Sequence, residues 1–149
     1  KVIGTIGNYI VFSGAPKQGK SNFIAATIAS SFLHTQESNF GIKLTTYPQR
    51  PVIAYFDTES SPYDNYQQIQ KICKLGLRTN LPDNVRAYNT REDTPEIIIK
   101  LIETFLINTP TCSIVFIDGL LDLCYNYNDE TESRKLTNWL KKLPKFITF

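Results

Sequence analysis

Tyr9-Ile10-Val11-Phe12-Ser13-Gly14-Ala15-Pro16-Lys17-Gln18-Gly19-Lys20-Ser21 is the stretch whose reading decides the fold. It opens with a short apolar, β-branched run that stops at a glycine, the pattern of a buried strand feeding a tight turn. From Lys20 onward Phe23, Ile24, Ile28, Phe32 and Leu33 fall on or near one face at helical spacing, with Ala25, Ala26 and Ala29 allowing close packing. Strand, glycine-bearing loop and helix in direct succession bring backbone N–H groups and the positive end of a helix dipole to one point.

The loop itself, Gly14 to Ser21, fits the pattern G-x-x-x-x-G-K-[ST]. Glycines at its ends let the backbone close round phosphate oxygens, so Gly14, Ala15, Pro16, Lys17, Gln18, Gly19, Lys20 and Ser21 are expected to cradle a nucleotide. Lys20 would reach the β- and γ-phosphates, and the Ser21 hydroxyl would ligand Mg²⁺. The pattern arises by chance in about one random chain of this length in a few hundred. The competing reading is a solvated Gly/Lys turn with no ligand, which the flanking strand and helix disfavour. Lys17 reads as peripheral to the phosphates.

Outward from the loop, the chain alternates. Pro51-Val52-Ile53-Ala54-Tyr55-Phe56-Asp57 reads as a second strand, Thr58 to Pro62 as a loop, and the following helix is expected to stop at Gly76. Val85 to Tyr88 is a short strand, and Thr94-Pro95-Glu96 supplies a cap, a first-turn proline and an early acid for a helix to about Asn108. Ser113 to Asp118 has the length and β-branching of a central parallel strand. Leu136, Trp139, Leu140 and Leu143 define a last helix from about Thr131. Residues 35 to 51 form a polar connection with room for a short strand or hairpin. Strands and helices in this alternation imply right-handed crossovers and an α/β architecture of three layers, with a mainly parallel central sheet.

Such sheets bind ligands beyond the carboxyl ends of their strands. That rule gathers Gly14 to Ser21, Asp57 to Glu59, and Asp118 on one edge. Asp118, ending an apolar strand, is the expected Mg²⁺ acid, holding the metal's water shell near Ser21. Glu59, two residues past a strand end, is placed to orient and polarise an attacking water, with Asp57 as its competitor. Asp57 could equally cap a turn, and Glu59 could be solvated. Asp122, four residues past Asp118, could support the residues of the site from behind, but reads more simply as a loop or helix-start aspartate facing water; Asp129, Glu130 and Glu132 read as charges favouring a helix N-terminus. Tyr63, Tyr66, Tyr125 and Tyr127 could stack bases, but read more simply as partly buried surface aromatics.

The whole chain, 149 residues with 42% hydrophobic and 20% charged residues, is sized for one domain that buries roughly 68–70% of its unfolded surface. A net charge of +2 is too mild to announce a nucleic-acid surface. Cys73, Cys112 and Cys124 contain no CxxC pair and fit reduced thiols in a cytoplasmic protein, and a lone His34 argues against zinc. No run reaches the ~18 apolar residues of a membrane span. The start at Lys1, the lack of methionine and the apolar run Lys145-Phe146-Ile147-Thr148-Phe149 suggest a fragment, truncated at its C-terminus, of a longer polypeptide.

With Gly14-Ala15-Pro16-Lys17-Gln18-Gly19-Lys20-Ser21, Val52 to Glu59 and Ser113 to Leu123 in order, nearly all of the chain resembles the RecA-like P-loop ATPases. Asp57-Thr58-Glu59 preceded by Phe56, and Asp118-Gly119-Leu120-Leu121-Asp122-Leu123, look closest to the RepA-like branch, hexameric replicative helicases of plasmids and mobile elements. The resemblance implies a single RecA-like ATPase domain over 1–149. It further implies that Gly14, Gly19, Lys20 and Ser21 bind ATP and Mg²⁺, that Glu59 activates water and that Asp118 is the Walker B acid. It also implies DNA as a partner and a homo-oligomeric ring or filament, because such ATPases complete each site with a neighbour's arginine. Two rival readings are a P-loop kinase of a small molecule and an ATP-dependent assembly switch.

Overall fold

The computed structural model describes residues 8–15, 18–33 and 41–143. Pro16, Lys17, His34 and the run Lys145 to Phe149 lie outside them. The elements are α1 (Lys20–Ser30), β1 (Val52–Asp57), α2 (Pro62–Leu75), β2 (Val85–Asn89), α3 (Pro95–Asn108), β3 (Cys112–Asp118) and α4 (Glu130–Lys142), with a 3₁₀ turn at Leu120–Leu123.

Local chemistry sets the helix ends. Ser61 accepts a hydrogen bond from the Asp64 N–H and Pro62 takes the first turn of α2, where its missing N–H costs nothing. The helix stops at Gly76, whose N–H closes on the Ile72 carbonyl. Pro95 likewise takes the first turn of α3, but Thr94, expected as its cap, makes no side-chain capping bond. Asp129 caps α4 by accepting from the N–H groups of Thr131 and Glu132, so the acid-rich start read from the sequence has a definite partner in one of its members.

All strand pairs are parallel, in the order β2-β1-β3, with Asp57 level with both Asn89 and Asp118. Side chains alternate across the sheet. Ile53 and Tyr55 of β1, with Ile114 and Phe116 of β3, face a core built with Ala25, Ile28 and Phe32 around α1 and Ile72 of α2. Ala54, Phe56, Val115 and Ile117 face the opposite core, formed with Ile98, Ile102 and Leu106 of α3 and Leu136, Trp139 and Leu140 of α4. Helices therefore cover both faces of a small open α/β sheet. The Trp139 indole N–H donates to Glu103 at 2.9 Å, satisfying a buried donor between α4 and α3.

Two expectations fail. Tyr9 to Ser13 forms no strand, and Tyr9, Ile10, Val11 and Phe12 are 44–56% exposed. β3, read as central, stands at a sheet edge, with its five middle residues only half-buried. The causes are linked. A strand is held by a ladder of hydrogen bonds on its flank, and among the described residues nothing pairs with β3 on the side away from β1. The apolar run before the loop does not take that open flank; its Phe12 ring rests on Phe23 of α1, at 4.7 Å between centroids. In the polar connection, Tyr47 and Arg50 close a small antiparallel turn.

Among the described residues no helix is long and apolar enough to cross a membrane.

Candidate functional site

Gly19 holds the junction between the loop and α1 at φ 82°, a conformation that a Cβ disfavours. Immediately after it, Lys20 turns back over the loop, its Nζ donating to the carbonyls of Gly14 at 3.0 Å and Ala15 at 3.3 Å. The Ala15 N–H donates to Gln18 Oε1 at 3.0 Å. A Cβ on Gly14 would lie 2.8 Å from that same oxygen, so a side chain there would displace the Gln18 amide. The first turn of α1 is fastened from α2. Gln68, nearly fully buried, donates to the Ser21 carbonyl, and Lys71 Nζ donates to Asn22 Oδ1 at 2.8 Å.

Strand alternation brings the acids to this helix. Asp57 and Asp118 end their strands on the same face as Tyr55 and Phe116, the face covered by α1 and α2. Asp118 is 5% exposed. Its carboxylate receives a hydrogen bond from Tyr55 Oη, at 3.4 Å on Oδ2, and the Ser21 hydroxyl is near enough to favour its ionised form. Burial pushes its pKa up, and the Asp57 charge adds to this; the Ser21 and Tyr55 hydroxyls and the Lys20 charge oppose it. The Tyr55 phenol is itself driven far above its ordinary value by burial and by the charges of Asp57 and Asp118, so it stays a donor.

Glu59 sits on the exposed loop after β1. Its pKa is raised by partial desolvation, then by the charges of Asp118 and Asp122, while Lys20 pulls it down. Lys20, Ser21, Glu59 and Asp118 thus share one electrostatic neighbourhood at the carboxyl edge of the sheet. Asp57 differs from Glu59 in its surroundings. It is fully buried, Oδ1 accepting from the N–H groups of Glu59 and Ser60 and Oδ2 from Asn65 Nδ2 at 2.9 Å. All of its acceptor capacity that is accounted for goes into holding the Glu59 loop and the start of α2.

Whether Mg²⁺ suits these residues follows from donor chemistry. The Ser21 hydroxyl lies close enough to Asp118 to influence its carboxylate, and among the described residues no cluster of three or more His, Cys, Asp or Glu side chains is arranged to hold a metal. One hydroxyl and one buried carboxylate do not make a protein cage. They do fit Mg²⁺, which keeps several waters and takes one or two protein ligands together with phosphate oxygens.

On the other side of Glu59 lies an open cavity of about 480 Å³, lined by Thr58, Glu59, Arg91, Asp93, Asp122 and Tyr125 among others. A larger one, about 640 Å³, runs along residues 77–83, before the amino end of β2 and away from every motif residue.

Sequence reading missed Tyr55, Thr58, Asn65, Gln68 and Gly119. Tyr55 was legible in principle, since a residue two before Asp57 on a strand shares its face. The others act on partners up to 64 residues away and carry no local signature. Asp122, read as facing water, is exposed yet bonded to Thr58 at 2.8 Å.

Comparison of the chain with protein-family models, with characterised proteins and with solved structures finds no match.

Proposed function

We propose that this chain is the nucleotide-binding core of a Mg²⁺-dependent ATPase of RecA/RepA-like type, working on DNA as part of a homo-oligomer. The observation that carries the reading is that Lys20 and Ser21, at the start of α1, act electrostatically on Asp118, at the end of β3, and that Glu59 feels both Asp118 and Lys20.

Each residue has a task that its chemistry allows. The N–H groups of the loop and of the first turn of α1 would hold phosphate oxygens. Lys20 would exchange its two carbonyl partners, Gly14 and Ala15, for the β- and γ-phosphates, a stronger pairing because both sides are charged. Ser21 and Asp118 would hold Mg²⁺, which when bound neutralises charge on the phosphate oxygens. Glu59, open to solvent, would orient a water and, in its ionised form, take its proton. The trans-acting arginine that completes such a site belongs to the proposal of an oligomer.

The test is release of inorganic phosphate from MgATP with no acceptor added. Lys20→Ala should reduce kcat by about 10²–10³-fold, the range for removing one preorganised donor to developing charge. Glu59→Gln should reduce it by roughly 10²–10⁴-fold with nucleotide binding retained. Phosphate release only when a small-molecule acceptor is supplied would replace the ATPase reading by a kinase. Hydrolysis that single-stranded DNA leaves unchanged would remove the DNA-coupled part and favour an assembly switch.

A further inference from the structure

Glu59 carries the water-directed chemistry proposed above, yet it is itself exposed on the loop after β1, so its aim depends on what anchors its more buried neighbours. One anchor is Asp57, described above. The second is Thr58. Its N–H donates to the Asp118 carbonyl at 2.9 Å, extending the β1–β3 ladder by one rung past the strands. Its hydroxyl lies 3.0 Å from the Asp118 carbonyl, 2.8 Å from the Gly119 carbonyl and 2.8 Å from Asp122 Oδ2. A single hydroxyl proton faces three acceptors, and the carboxylate is the charged one, which makes the strongest bond of the three.

The turn after β3 is shaped for this contact. Gly119 adopts φ 102°, and the 3₁₀ turn Leu120–Leu123 brings Asp122 back over it, with the Asp122 N–H donating to the Gly119 carbonyl at 3.0 Å. A Cβ on Gly119 would lie 2.1 Å from Thr58 Oγ1, 2.6 Å from Glu59 Cγ and 2.7 Å from Asp122 Oδ2. Three groups from two separate loops converge on the space of one missing methyl.

We propose that Asp122 is a positioning residue, which through the Thr58 hydroxyl latches the Glu59 loop to the turn that follows Asp118. The two acids of the site then move as one body, so that a shift of Asp118 on binding metal and phosphate is carried to Glu59. This inference rests on the ATPase reading for its catalytic meaning; the latch itself is a statement about structure. Asp122 is exposed, and removing its carboxylate leaves both cores intact.

The experiment compares the unaltered chain with Asp122→Ala, Asp122→Asn, Thr58→Val and the double variant Thr58→Val/Asp122→Ala. Asp122→Ala should lower kcat for phosphate release by about 10- to 100-fold, the scale of an approximately 1 Å misplacement, with KM for ATP within about threefold because the phosphate loop is untouched. Asp122→Asn keeps an acceptor oxygen for Thr58 and should recover most of the loss. The double variant should be no slower than the slower single variant, since both changes break one contact. An unchanged kcat in Asp122→Ala, a rise in KM alone, or fully additive losses would each overturn the proposal. Amide hydrogen exchange over residues 58–61 decides the latch without activity. It should quicken several-fold in Asp122→Ala and stay near the unaltered rate in Asp122→Asn, and equal exchange in all variants would overturn the latch. Absence of phosphate release from the unaltered chain would refute the ATPase reading alone, with the exchange result still judging the latch.

Discussion

Gly119→Ala is the sharpest single perturbation of this structure. The residue sits at φ 102°, where an L side chain is strained by about 1–3 kcal/mol whatever the space around it. Space is lacking as well: the new Cβ would stand 2.1 Å from Thr58 Oγ1 and 2.6 Å from Glu59 Cγ. Relief requires the Glu59 loop or the turn after β3 to retreat by about 1 Å or more, and crowding of this kind costs roughly 1–3 kcal/mol. The two contributions together lower the melting temperature by roughly 5–20 °C in a domain of this size. Trp139 is the one tryptophan of the chain and is buried against α3, so its fluorescence follows the transition. The same retreat misplaces Glu59, and a displacement of about 1 Å is expected to lower kcat by about 10²-fold. Kinetics are read well below the variant's transition, so that unfolding does not enter the rate. A variant that melts within about 1 °C of the unaltered chain and turns over within about twofold would refute the convergence of the two loops on Gly119.

Gly76→Ala is the counterpart at the far end of α2. The added Cβ would meet the Phe32 ring at 1.9 Å in the α1/α2 core, so stability should fall by about 1–3 kcal/mol in urea titration while kcat of the folded protein is unchanged. Glu59 and Asp118 both hold their protons more tightly when folded than when unfolded, so folding is favoured as pH falls through their raised folded-state values and disfavoured above them. Asp118→Asn, which mimics the protonated form, should therefore raise the melting temperature at pH 7, and by progressively less as the pH falls toward 3.8, the ordinary aspartate value. In the unaltered chain, hydrolysis should fail on acidification with a midpoint above 4.5, the ordinary glutamate value, because Glu59 must be ionised to act; a midpoint at or below that value would contradict its placement beside Asp118 and Asp122. Of the three thiols, Cys112 is buried with its pKa pushed up to about 11 and Cys73 is buried, so a thiol reagent at neutral pH should modify the half-buried Cys124 first, as peptide mapping would show.

The elements lying between residues 51 and 143 were legible because each rests on short-range physics. Proline at the first turn, glycine or a polar cap at an end, and a period of two or of 3.6 residues act within a few positions of one another. The edge position of β3 and the unpaired Tyr9 to Ser13 run were not legible, because a buried apolar strand and an apolar strand awaiting a neighbour have the same composition. For the site, the sequence by itself determined the loop Gly14 to Ser21 and the candidate acids Glu59 and Asp118, since those residue types stand at fixed spacing from a strand end. It left Asp57 and Glu59 as rivals. Only the tertiary structure separated them, by turning Asp57 inward onto Asn65 and the loop amides while Glu59 stays open to solvent. The pairing of Thr58 with Asp122, 64 residues apart, was likewise decided by folding alone. Side-chain alternation says which face an acid takes, but which strands lie side by side is a property of the packed sheet, and no local pattern carries it.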